Sequence, residues 1–159
     1  MKIDYDNLWH VLTEHSSLGE WSLHGPDHWR RVERNGVELA EAAGADVDVV
    51  RLFAVFHDSC RENEGFDPEH GERATILVLA MHGDLFQLHE NQLEQLCEAC
   101  SGHHHGGTSD LATVGACWDA DRLDLPRVGM APDEAYMSTE EGRRRAAAYY
   151  VGRAQATDG

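Results

Sequence analysis

The chain has 159 residues and a formal charge of −16, from 29 acidic against 13 basic side chains. That length fits one domain, 1–159, with its own core, and that charge repels nucleic-acid backbones and anionic membranes, which argues against long nucleic acids and membrane surfaces as partners. Small phosphorylated molecules stay open, because a bound divalent cation and a few local arginines reverse the field inside a pocket.

The opening run MKIDYDNLWHVLTEH carries acidic groups and no long apolar stretch, so it matches neither a signal peptide nor a membrane span, and a cytoplasmic location is expected. Leu8, Val11 and Leu12 have helical spacing and predict a first helix over about 6–14, which Gly19 follows. Pro26 suits the first turn of a second helix that stops at Gly44. After Asp46, a candidate N-cap, VDVVRLFAVFHDS is apolar enough for a strand, but it is long and meets no hairpin turn. It reads as a buried helix.

Pro68 opens the next helix, through Met81, and a further amphipathic helix spans about 88–100. SGHHHGGTS interrupts the pattern, a helix follows over about 111–123, and Ser138 with Glu141 predicts a capping box for a final helix through about 151 or 152. No strand set or repeat emerges, so the expected fold is all-α. Without a secretory signal, Cys60, Cys97, Cys100 and Cys117 read as reduced thiols, and the CxxC pair at 97 and 100 lacks the second pair of a zinc ribbon. The RRRAAAYY run near the C terminus reads as a charged helix face.

Imidazole and carboxylate bind borderline and hard divalent cations, and here they fall at the ends of several predicted helices. The candidates are His28, His57, Asp58, His70, His103 and Asp121. His57 and Asp58 point about 100° apart on a helix, so both touch one ion only when it lies between them near the helix end.

In these segments the chain resembles the HD-domain metal-dependent phosphohydrolase superfamily, whose ordered signature is a His, a His-Asp doublet and a distant Asp. HGPDHWRRV supplies His28, FAVFHDS supplies His57 and Asp58, and CWDADRLDL supplies Asp121, over a core of about 24–129. The resemblance implies an all-helical bundle with a metal site between helices, in which these four residues ligate one divalent ion such as Mn, Mg, Fe, Co or Ni. His70 and His103 match positions where some members place extra histidines, for a second metal or for phosphate contacts. His103 stands first in a run of three, and Asp119 competes with Asp121 as the ligand. Members acting on nucleotides often carry an acid three positions after the doublet's Asp. Here that position is Arg61, with Glu62 next.

The expected chemistry is hydrolysis of a small phosphorylated, nucleotide-like ester, as a monoesterase or diesterase, by metal-activated water. Asp58 or Asp119 would orient the water, and Arg61 and Arg122 are the candidate phosphate contacts. Trp29 and Trp118 flank proposed ligands, as packing or as a stacking surface. Two other functions compete: a two-iron oxygenase, which a branch of the same superfamily implies, and a noncatalytic metabolite-binding module.

Overall fold

A computed structural model describes residues 3–157. Its α-helices are α1 (Tyr5–His15), α2 (Pro26–Ala43), α3 (Val47–Phe56), α4 (His70–Met81), α5 (Glu90–Gly102), α6 (Ala112–Arg122) and α7 (Glu140–Thr157), with short 3-10 turns at Leu125–Val128 and Glu134–Tyr136. Among the described residues the only β-type pairing is an isolated bridge between His82 and Phe86. The all-α expectation holds.

Helix α3 is the axis of the arrangement and packs against α2, α4, α5 and α6. The Asp46 carboxylate caps it by accepting the Val49 N–H at 3.1 Å. Val49, Val50, Leu52, Phe53, Ala54, Val55 and Phe56 are all buried, which explains why this segment lacks a polar face. Each of its larger side chains contributes about 1.5–3 kcal/mol by leaving water. Gly36 lets α2 approach, since a Cβ there would collide with Val50 Cγ1.

Pro26 and Gly44, the latter left-handed at φ 66°, bound α2 as expected. Helix α4 begins later than its proline suggests, because the chain first turns so that His70 N–H donates to Asp67 O. The cap of α7 corrects the sequence reading. Thr139 Oγ1, not Ser138, accepts the Gly142 N–H at 2.9 Å, while the Ser138 hydroxyl accepts from Ser109 N–H at 3.1 Å. Glu141 pairs with Arg144 and Arg145 on the helix surface.

The four cysteines are free thiols. Cys97 and Cys100 lie in α5, and burial raises both pKa values above the ordinary thiol range. Among the described residues no helix is long and apolar enough to cross a membrane.

Candidate metal centre

The candidate ligands arrive from five helices or helix ends. His28 stands in the first turn of α2, His57 caps the C terminus of α3 with Asp58 next, His70 begins α4, His103 caps α5 and Asp121 is near the end of α6. Apolar helix faces bring these ends together and leave His28, His57, His70, His103 and Asp58 buried.

Each buried imidazole is oriented by a hydrogen bond on its outer nitrogen. His28 Nδ1 donates to Asp124 Oδ2 at 2.7 Å, His57 Nδ1 to Ala54 O at 3.0 Å, His70 Nδ1 to Asp67 O, and His103 Nδ1 to Cys100 O at 2.8 Å. These partners only accept, so the Nδ1 atoms carry the protons and the Nε2 atoms face inward. His28 Nε2 and His57 Nε2 lie 3.0 Å apart, and His70 Nε2 and His103 Nε2 2.9 Å apart.

The carboxylates complete two adjoining sets. Asp121 Oδ1 is 3.2 Å from His28 Nε2 and 3.6 Å from His57 Nε2. Asp58 Oδ2 is 3.5 Å from His28 Nε2. The other oxygen, Asp58 Oδ1, lies 3.3 Å from His70 Nε2 and 3.5 Å from His103 Nε2. Asp58 therefore links the sets through its two oxygens. His28, His57 and Asp121 offer ligand atoms within 4.8 Å of one another, and so do His70, His103 and His104.

Protonation follows from this crowding. Burial disfavours charge on His28, but Asp121, Asp124 and Asp58 outweigh it and push its pKa up to about 10. Burial holds His57 below its ordinary value despite the attraction of Asp58 and Asp121. Without a cation, His28 thus donates a proton toward a neutral His57. Burial opposes ionisation of Asp58 and Asp121, yet the surrounding imidazoles keep both well below the usual carboxylate range. Once the inward His28 proton is displaced, four imidazole Nε2 atoms and two ionised carboxylates form a donor set that fits a divalent cation.

Asp119 stands apart and corrects the sequence reading. Its Oδ1 accepts from Ser138 N–H at 2.7 Å, and its Oδ2 from Thr139 N–H at 2.8 Å and the Thr139 hydroxyl at 2.7 Å. Both oxygens are consumed in joining α6 to the start of α7, and Gly142 leaves the room they need. Asp121, not Asp119, joins the imidazoles.

Arg61 Nε donates to Asp58 Oδ1 at 3.2 Å, and its Nη1 to the carbonyls of Asn63 and Gly65. Glu62 lies outside the cluster, with Oε1 3.8 Å from Arg73 Nε. Arg122 Nη1 donates to Tyr136 O at 2.6 Å, whereas its Nη2 is buried without a hydrogen-bond partner. Trp29 donates to His24 O and Trp118 to Ala99 O, so both indoles pack and brace backbone.

Two contributors were missed from sequence. Asp124 orients His28 and is itself held by Arg31 Nε at 2.8 Å; its signal was a carboxylate three residues after Asp121. His24 Nδ1 lies 3.2 Å from Asp58 Oδ2, and its signal was a second histidine just before α2 in HGPDH.

No family model matches the chain, and no curated protein matches it significantly. Among solved structures it is similar to the crystal structure of a predicted HD superfamily hydrolase from an uncultured Thermotogales bacterium, at 25% identity and a TM-score of 0.73, covering 97% of this chain and 92% of that one. The fold is that of the HD domain, with a buried His/Asp cluster suited to a metal.

Proposed function

We propose that the chain is a metal-dependent phosphohydrolase acting on a small phosphorylated, nucleotide-like substrate. The observation that carries this reading is the convergence of four inward Nε2 atoms on Asp58 and Asp121. The name of its structural neighbour, a predicted HD superfamily hydrolase, supports the reaction class.

In this reading His28, His57, Asp58 and Asp121 hold one divalent ion, of the Mn, Mg, Fe, Co or Ni type. His70 and His103, sharing Asp58 through its second oxygen, hold a second ion or contact phosphate. A bound ion lowers the pKa of a coordinated water and neutralises charge on phosphoryl oxygens. The chain's own groups then position the reactants. Asp58, whose two oxygens face both imidazole sets, orients the water. Asp124 fixes the His28 ring. Arg122, whose Nη2 has no hydrogen-bond partner, supplies the guanidinium contact to phosphate, while Arg61, held by the carbonyls of Asn63 and Gly65, braces Asp58 Oδ1.

The test is release of inorganic phosphate by metal-loaded protein from a panel of nucleotides and simple esters. Wild type is expected to turn over and a His57→Ala, Asp58→Ala double variant to be inactive; an inert, fully loaded wild type overturns the proposal.

The nearness of His70 and His103 to Asp58 also favours a second reading, a two-iron oxygenase. Two tightly bound irons with oxygen uptake and no phosphate release would select it.

A further inference from the structure

A cavity of about 480 Å³ opens against the cluster, with Asp121 and His103 in its wall. That volume lies in the range of small-molecule sites. His104 and Asp133 also line it, and the remaining wall is largely apolar, with Leu125, Met130, Tyr136, Met137 and Tyr150. Met130, Tyr136 and Tyr150 are 57%, 53% and 53% exposed, large apolar surface kept beside a polar centre. Arg122 brings a guanidinium to the same wall, with its Nη2 buried and unpartnered.

The other arginines near the centre are engaged. Arg61 holds the carbonyls of Asn63 and Gly65, Arg31 holds Asp124, and Arg127 donates to Leu23 O. Among the described residues these engaged arginines leave no open cationic track for a long polyphosphate, whereas one phosphoryl group with an apolar remainder matches what the walls offer.

We propose that the substrate is a phosphate monoester whose alcohol carries an aromatic or aliphatic body, seated against Leu125, Met130, Tyr136, Met137 and Tyr150 with its phosphoryl group toward Asp121 and Arg122. The inference rests on the phosphohydrolase reading. In the reaction, water oxygen bonds to phosphorus, the bond from phosphorus to the ester oxygen breaks, and the alcohol leaves with one of water's protons. Apolar burial of the body adds affinity that a short ester lacks, and where that affinity persists in the transition state it raises kcat/KM.

The experiment compares 2-phenylethyl phosphate with ethyl phosphate, two primary alkyl esters with similar leaving groups, on Mn-loaded protein. The 2-phenylethyl ester is expected to show a kcat/KM at least about tenfold higher, and Met130→Glu to shrink that ratio severalfold. A ratio near one in wild type, or one unchanged in Met130→Glu, overturns the inference while leaving phosphohydrolysis intact. If neither ester is hydrolysed, the nucleotide and ester panel decides the phosphohydrolase reading separately, and the cavity is read by methyl NMR with the nonhydrolysable 2-phenylethylphosphonate. Saturable shifts of the Met130 and Met137 methyls then support the apolar seat, and their absence overturns it.

Discussion

Asp124→Ala removes the acceptor that holds the His28 ring without removing a proposed ligand. The Nδ1–H to Oδ2 bond is 2.7 Å long and buried, and Arg31 Nε fixes the carboxylate from the other side at 2.8 Å. Once the carboxylate is gone, the imidazole is free to rotate or change tautomer, and its Nε2 loses basicity. Loss of such an orienting partner typically costs about 10- to 100-fold in metal affinity, or about 1.4–2.8 kcal/mol. Arg31→Ala, which leaves the carboxylate in place, should cost less than about threefold by the same reasoning. Titration calorimetry of chelator-stripped protein with Mn or Co reads the affinity, and circular dichroism verifies the fold. A folded Asp124→Ala protein binding metal within about twofold of wild type would refute the assigned role of Asp124.

Asp119→Ala should destabilise the protein by about 2–3 kcal/mol, since two backbone N–H groups and a hydroxyl lose their buried acceptor. Denaturant titration should register that loss while metal stoichiometry stays at the wild-type value; a lost ion would return Asp119 to the centre. Gly36→Ala drives a methyl into Val50 Cγ1 where α2 crosses α3, and should cost about 1–3 kcal/mol in the same assay. A neutral result would mean that this crossing is looser than described. His28 is raised to about 10, so the metal-free protein carries its proton at pH 7.5 and ion binding must displace it. Affinity should therefore rise with pH toward 10, with close to one His28 proton released per ion near pH 7.5. Calorimetry in buffers of different ionisation enthalpy reads this release, and pH-independent affinity would contradict it.

Much of the fold was legible because its signals were local. Pro26 and Gly44 marked the ends of α2, and the length of the apolar run before His57 chose helix over strand for α3. The cap of α7 was misread because two tertiary contacts decide it: Ser109 engages the Ser138 hydroxyl, and Asp119 takes the N–H groups of Ser138 and Thr139. Asp119 and Asp121 lie two residues apart, about 200° around a helix, so one faces the imidazoles when the other faces away. The resemblance favoured Asp121 as the ligand and kept Asp119 as the alternative, and the contacts of Asp119 with Ser138 and Thr139 account for why it faces away. The orienting role of Asp124 was hidden because its partner His28 lies 96 residues away. The apolar cavity wall escaped notice because it is assembled from irregular segments around Leu125, Met130 and Met137, which carry no periodic pattern.

The most direct test of the central claim is anomalous diffraction from crystals of Mn-loaded protein. Density is expected among His28 Nε2, His57 Nε2, Asp58 and Asp121, with any second peak beside His70 and His103. A fully loaded crystal with its manganese elsewhere, or a protein that takes up no metal at all, would contradict the account.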